Sequence, residues 1–384
     1  MPDSRVPVTP EAVQAALATV KDPEINRPLT ELGMVRKVDI SDAGAVRVEV
    51  LLTVSGCPLR DEITARVTAA VGAVAGVSAV EVVLDVMDDE QRAALRTTLR
   101  GSGERTIPFA QPGSLTRVYA IASGKGGVGK SSITANLAVA MAQQGLTVGL
   151  LDADVYGHSI PRILGSNDRP TQVEGMIMPP QAHGVRVIST LPFKPGGVTQ
   201  PIAWRGPMLH RALEQFLADV WWGDLDVLLL DLPPGTGDVA MSIATLVPTS
   251  ELVIVTTPQG GAADVAIRAG TLAAQTHQKV VGVIENMSGF PCPHCGEPVD
   301  LFGMGGGAVV AQELSAALGT DVPLLGQIPF DVDLRTGGDE GRPLVLSAPD
   351  SPAGSALISI ARTLAGRPRG LAGMALGITP TRKG

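Results

Sequence analysis

The stretch Gly124-Lys125-Gly126-Gly127-Val128-Gly129-Lys130-Ser131 decides how this chain is read. Its glycines let the backbone curl so that successive N–H groups converge on phosphate oxygens, and Lys130 neutralises charge at the β/γ position. Ser131 supplies the hydroxyl expected on Mg²⁺, and Ser132 closes the expected nucleotide-binding segment. The motif is credible only between a strand and a helix. Leu115–Ala122 ahead of it reads as a strand and Ile133–Met141 behind it as a helix. Lys125 is not needed to close the loop, so it is the residue that asks for an explanation.

Downstream of the loop, apolar runs recur at Val148–Leu151, Val185–Ser189, Val227–Leu230, Leu252–Val255, Val280–Glu285 and Leu324–Ile328. With the run Val118–Ala122 and helical stretches between them, they predict an α/β fold with a mostly parallel sheet flanked by helices. Two of the runs end in acids. Val148–Leu151 leads into Asp152-Ala153-Asp154, and Val227–Leu230 into Asp231-Leu232-Pro233-Pro234-Gly235-Thr236-Gly237-Asp238. In a parallel sheet the carboxyl ends of strands line the ligand crevice, so these acids face the phosphate loop. Asp231 is expected to hold Mg²⁺ through water, and Asp152 or Asp154 to orient the attacking water. Any one of these aspartates could equally cap the following helix.

Before the loop stands a different rhythm. Pro10–Val20 and Pro58–Val74 read as helices, with Val35–Ile40, Val46–Thr53 and Ala79–Leu84 as strands. This predicts a small α+β domain over residues 1–95 and a turn-rich linker over 96–114. The phosphate-loop domain then covers 115–365, and a basic tail 366–384. Glycines and prolines in that tail spoil any amphipathic helix, so it reads as solvated rather than membrane-bound.

Of the 384 residues 45% are hydrophobic and only 3% aromatic, which suits a sheet built from Val, Leu, Ile and Ala. A net charge of −8 offers no basic stripe for nucleic acid, so none is expected as a partner. No apolar run approaches the roughly 20 residues of a membrane span. The first residues, Met1-Pro2-Asp3-Ser4-Arg5-Val6-Pro7, carry no apolar leader. No membrane partner and a cytoplasmic location are the expectation.

Three cysteines make no disulfide framework. Cys292-Pro293-His294-Cys295 has the spacing by which two thiolates reach one metal, shared by zinc knuckles and dithiol redox sites. A closed site needs four thiolates, and a twofold dimer supplies them by apposing two identical pairs. Four thiolates suit a 4Fe–4S cluster or structural zinc. His294 reads as a spacer. Cys57, before Pro58 at a predicted helix start, is either an accessory reactive thiol or a small buried apolar residue.

With these pieces assembled, the chain resembles the Mrp/ApbC family of iron–sulfur cluster carrier P-loop ATPases. That family belongs to the deviant-Walker class with the nitrogenase iron protein, MinD and ParA. The resemblance rests on Gly124–Ser132, Leu151–Gly157, Trp204–His210, Trp222–Asp226, Asp231–Asp238, Glu285-Asn286-Met287-Ser288 and the Cys292/Cys295 pair, in that order. Asp22-Pro23-Glu24 and Thr53–Leu59 resemble the small iron–sulfur-assembly domain that precedes many such ATPases. Ser132 stands where the family often has Thr, and His158 where it often has Pro.

The resemblance implies ATP, Mg²⁺ and a 4Fe–4S cluster as ligands, with the cluster bridging a homodimer through Cys292 and Cys295. It implies that Lys125 reaches the partner's nucleotide phosphates and that Asn286 contacts adenine. Lys125, Lys130, Asp152 and Asp154 then form the catalytic set, with apo iron–sulfur proteins and cluster-assembly factors as partners. Two other readings of the same residues are a spatial-organising ATPase like ParA or MinD and a dithiol oxidoreductase on Cys292/Cys295. The acidic balance weighs against the first, and Gly296-Glu297-Pro298 after the cysteines, where a redox motif opens a helix, weighs against the second.

Overall fold

The structure, a computed structural model, describes residues 7–53, 59–100, 106–111, 113–155, 157–166, 168–173, 175–190, 206–292 and 294–367. Cys57, Tyr156, Trp204, Arg205, Pro293 and residues 368–384 of the basic tail lie outside the described residues. The chain divides into two compact units: Met1–Thr106 with Thr171–Met178, and Ile107–Pro170 with Pro179–Gly384.

In the smaller unit the order is α1 (Pro10–Leu17), β1 (Val35–Ile40), β2 (Ala45–Leu52), α2 (Arg60–Gly72), β3 (Ala79–Val86) and α3 (Asp89–Arg100). Thr9 caps α1 by accepting from Ala12 N at 3.2 Å, and Pro10 occupies the first turn, where its missing N–H costs nothing. β2 is the central strand, antiparallel to β1 and parallel to β3. Val46, Val48 and Val50 alternate on its buried face, and Ile63, Val67 and Val71 line the buried stripe of α2 at helical spacing.

Helix α3 has no counterpart in the sequence reading. Its signal is a reciprocal cap: Asp88 Oδ1 accepts from Gln91 N at 2.8 Å while Gln91 Oε1 accepts from Asp88 N at 3.0 Å. Asp89 and Glu90 in the first turn complement the helix dipole.

The smaller unit also takes in a strand pair encoded far downstream, Thr171–Val173 and Met176–Met178. Thr171 donates its hydroxyl to Glu24 Oε1 at 2.9 Å. Burial raises the Glu24 pKa and this hydrogen bond opposes the rise.

In the larger unit the elements run β4 (Arg117–Ser123), α4 (Lys130–Gln143), β5 (Val148–Asp152), α5 (Ser159–Ile163), β6 (Thr171–Val173), β7 (Met176–Met178), β8 (Gln181–Ala182), β9 (Val185–Ser189) and α6 (Gly206–Ala218). Of these, β6 and β7 belong to the smaller unit. The order continues with β10 (Val227–Asp231), α7 (Asp238–Leu246), β11 (Glu251–Thr256), α8 (Gly260–Thr276), β12 (Lys279–Asn286), β13 (Phe290–Pro291) and β14 (Pro298–Val299). It ends with α9 (Gly306–Leu318), β15 (Leu324–Ile328), α10 (Val332–Glu340), α11 (Leu344–Ser347) and α12 (Pro352–Ala365).

The eight-stranded sheet has the order β15-β12-β11-β4-β10-β5-β9-β8, parallel except for β8 at one edge. Its seven parallel strands are the apolar runs seen in the sequence, each extended by no more than two residues, while the edge strand β8 was not read there. All five residues of β5, β9 and β10 are buried, as a sheet covered on both faces requires. From β4 the chain first moves past β10 to β5 and later returns on the other side as β11. The loop after β4 therefore opens at the switch point of the sheet, where α/β folds bind ligands.

Helix α12 packs on α4 and β15 and is fastened at its end. Tyr119 Oη donates to Leu364 O at 2.9 Å, and Arg117 donates to the carbonyls of Ala365 and Arg367. Burial is the main reason the Tyr119 pKa is pushed up to about 12, which keeps that donor protonated. No helix among the described residues is long and apolar enough to cross a membrane. Leu357 of α12 is fully buried against the layer that carries the phosphate loop. Leu357→Ala is expected to cost about 2–5 kcal/mol, read as a lowered urea midpoint with the slope of the transition unchanged.

Candidate functional site

The loop Gly124–Gly129 leaves β4 and enters α4 at Lys130. Gly129 has φ +83°, a conformation that favours glycine, and Asn286 Nδ2 fills the space a Cβ would need. The same Nδ2 donates to Val128 O at 2.9 Å. The last residue of β12 thus clasps the loop directly. At the N-terminal end of α4, Asp231 gathers three side chains. Its Oδ1 receives Lys130 Nζ at 2.7 Å and Thr134 Oγ1 at 2.8 Å, and its Oδ2 receives Ser131 Oγ at 2.6 Å. Asp231 is fully buried and Lys130 is 6% exposed. Thr134 was missed in the sequence. Its position four residues after Lys130, on the same helical face, is the signal that would have found it.

Parallel register sets Asp152 beside Asp231 at the ends of adjacent strands. Asp152 is fully buried. Its Oδ1 accepts from Asp154 N at 3.2 Å, and its Oδ2 accepts from Ile160 N and Ser189 Oγ at 3.3 Å each. Burial, then the charge of Asp231, drive its pKa well above the ordinary 3.8, with Lys130 opposing. Asp154 is partly exposed, and its Oδ1 accepts from Gly157 N at 2.9 Å. Lys125 is exposed, its ammonium beside Gly261 at the start of α8.

Next to the loop lies a cavity of about 360 Å³, lined by Gly129, Ser132, Asn286, Met287, Phe330 and Leu334 among others. Arg162 and Arg335 both pair with Asp339 at its rim, at 3.0 and 3.5 Å. Met287 turns the chain out of β12 with φ +59°. The excursion that follows carries the cysteines.

Strands β13 and β14 pair Phe290 with Val299 and Pro291 with Pro298, making a short antiparallel hairpin. At its tip Cys292 N donates to Glu297 O at 2.9 Å and Gly296 N to Cys292 O at 2.8 Å. Cys292 is partly exposed and Cys295 exposed, both as free thiols. The backbone N–H of His294, then that of Cys295, hold the Cys292 pKa below the usual thiol value. This is a knuckle geometry, not the helix start of a dithiol redox motif. No group of three or more His, Cys, Asp or Glu side chains placed to hold a metal occurs among the described residues.

The family model described as NUBPL iron-transfer P-loop NTPase matches residues 114–365. The chain belongs to that family. A second model, described as iron-sulfur cluster assembly protein, matches residues 10–82 of this family member. The iron-sulfur cluster carrier protein of Mycobacterium tuberculosis (strain ATCC 25618 / H37Rv) is 63% identical over 373 residues, 97% of each chain. The protein of the same name from Deinococcus radiodurans is 44% identical over 359 residues, 93% of this chain and 95% of that one. Among solved structures, a nucleotide-binding protein in complex with ADP from Archaeoglobus fulgidus is 35% identical. It covers 61% of this chain and 92% of its own, at a TM-score of 0.49.

Within this P-loop NTPase the structure brings Lys130, Ser131, Asp231, Asp152 and Asn286 to one end of the sheet. It sets Cys292 and Cys295 apart, at the tip of a hairpin rooted beside Asn286. The raised pKa of Asp152 has a measurable consequence. The folded state binds that proton more tightly than the unfolded state. Its contribution to stability is therefore present below the ordinary carboxylate value and lost as pH rises through the raised one. Asp152→Asn does not ionise. Relative to wild type it is expected to gain stability steadily as pH rises from about 4, read by urea unfolding at stepped pH. A pH-independent difference between the two proteins would contradict the shift.

Proposed function

We propose that the protein is an ATP-hydrolysing dimer that carries a 4Fe–4S cluster between two Cys292/Cys295 hairpins and passes it to apo-proteins in the cytoplasm. The observation that carries this reading is the coexistence, in one compact unit, of a buried Lys130–Asp231–Ser131 group behind a glycine loop and two free thiols at a hairpin tip. A cluster takes four thiolates and one hairpin offers two, so a twofold axis through the hairpins completes the set. The carrier name of the relatives supplies the cargo, and the match of residues 10–82 to a cluster-assembly protein fits partner selection by the small unit. Neither nucleic acid nor membrane enters the cycle.

The donor set around the loop fits the nucleotide and its metal. Glycine-loop N–H groups and the Lys130 ammonium match phosphate oxygens, while the Ser131 hydroxyl and Asp231 carboxylate are hard oxygen donors of the kind Mg²⁺ selects. Mg²⁺ when bound neutralises developing charge on the phosphates. Lys130 binds and orients the γ-phosphate, and Asp154, the partly exposed aspartate, orients water. Asp152 fixes the turn that presents Asp154 through its bonds to Asp154 N and Ile160 N. Asn286 holds the loop and borders the adenine site. Lys125 acts on the partner's nucleotide.

Two experiments test this. Anaerobic reconstitution with Fe²⁺ and sulfide is expected to load about four irons per wild-type dimer and none on Cys292→Ala/Cys295→Ala. Iron retained by that variant would end the carrier reading. For the nucleotide half, Lys130→Ala and Lys125→Ala are each expected to lower ATP turnover on the order of 10²-fold or more. Mixing the two inactive variants should restore about a quarter of wild-type turnover. Random pairing makes half the dimers mixed, each with one intact site served in trans. Absence of rescue would place Lys125 in its own subunit's site.

A further inference from the structure

The cavity beside the phosphate loop and the cysteine hairpin share one wall. Phe330 lines the cavity together with Asn286 and Met287. Its ring also meets Phe290 edge-on at 5.6 Å, and Phe302 in a tilted contact at 6.1 Å. Phe290 lies two residues before Cys292, and Phe302 seven after Cys295. The backbone repeats the link, for Phe330 N donates to Gly289 O at 2.8 Å and Ser288 N to Ile328 O at 2.9 Å.

On its other side Phe330 is tied to a firm element. The next residue, Asp331, caps α10 by accepting from Asp333 N at 2.7 Å and Leu334 N at 3.1 Å. Leu334, Arg335, Gly338 and Asp339 of that helix line the same cavity.

The root of the excursion is fixed separately. Glu285 is fully buried and receives Ser288 Oγ at 2.7 Å, Gln327 Nε2 at 2.7 Å and Gly307 N at 2.5 Å. A Cβ at Gly307 would collide with the Glu285 side chain, and one at Gly306 with the carbonyls of Thr257 and Pro258. Both ends of the excursion are therefore locked to the sheet by one carboxylate. What lies between them is steadied on its flank by the Phe330 ring.

The geometry points to Phe330 as a positioning residue that transmits occupancy of the cavity by a nucleoside to the spacing and exposure of Cys292 and Cys295. The inference rests on the carrier reading for its purpose, since it makes metal affinity respond to nucleotide. The Phe330 ring meets Phe290 on the hairpin and Phe302 just beyond it and also lines the cavity, so in close packing a shift of the ring on one side is felt on the other. By linkage the effect is reciprocal, so metal at the thiolates alters nucleotide affinity by the same factor.

The test compares wild type, Phe330→Leu, Phe330→Tyr and Phe109→Leu, each with and without ADP at a concentration saturating that variant. Phe109 packs edge-on against Trp222, outside both cavity and hairpin, and controls for loss of an aromatic ring. One readout is the rate of Cys292 and Cys295 alkylation by iodoacetamide, followed by mass spectrometry. The other is Co²⁺ affinity from thiolate-to-metal absorption.

ADP is expected to change both readouts in wild type by on the order of fivefold or more. The ratio should fall to within about twofold of unity in Phe330→Leu, while Phe330→Tyr and Phe109→Leu keep it. A full ADP effect in Phe330→Leu, or none on either readout in wild type, overturns the relay. The carrier reading fails differently: thiolate absorption is then missing in wild type, while an ADP-dependent alkylation rate that needs the Phe330 ring still upholds the relay.

Discussion

A carboxylate without access to water organises this molecule. Asp231 sits at the end of a central strand and binds an ammonium and two hydroxyls from the first two turns of α4. Removing two charges from water costs several kcal/mol per ion, and only good geometry with further hydrogen bonds offsets that. Thr134 and Ser131 provide those bonds. The arrangement is poor as a device for stability, because apolar side chains of similar volume would pack there as well. It makes sense as a poised charge. Lys130 is held in place, desolvated and preorganised, at the point where the glycine loop directs its N–H groups.

Parallel register extends the same constraint to the next strand. With Asp152 beside Asp231, two carboxylates share a dry strand edge, and the environment drives them apart in behaviour. Asp231 takes the cation. Asp152 is held toward its neutral form and uses its oxygens to shape the turn from Asp154 to Ile160. Burial first, and then the neighbouring charge of Asp231, hold Asp152 toward that neutral form.

Most of the larger unit was legible because buried parallel strands are written as continuous apolar runs, and strand-end acids stand out against them. The phosphate loop was legible because glycine spacing is a backbone requirement visible residue by residue. Contacts fixed by tertiary approach were not. Nothing local marks Asn286 as the partner of Val128 O, since the two meet only when β12 lies two strands from β4. Glu285 read only as the end of a strand, yet it holds both ends of the cysteine excursion. Helix α3 went unread because its segment is polar overall; its apolar periodicity, with Leu95 and Leu99 one turn apart on the buried side, and its Asp88–Gln91 cap were the signals passed over. The cysteine pair was legible as chemistry and, through Gly296-Glu297-Pro298 behind it, as a loop rather than a helix start; the pairing of Phe290 with Val299 that makes it a hairpin has no local mark.

The strand pair Thr171–Met178 has a consequence for how the chain can be divided. It is encoded within the span that matches the P-loop NTPase family, yet its residues fold into the smaller unit, where Thr171 meets the half-buried Glu24. The two units are therefore interleaved in sequence, not strung end to end. A cut near residue 106 separates residues 171–178 from the unit they pack in. The fragment would lack Thr171, whose hydroxyl is the hydrogen bond that opposes the burial of Glu24. The small unit thus gathers residues written on both sides of the phosphate loop.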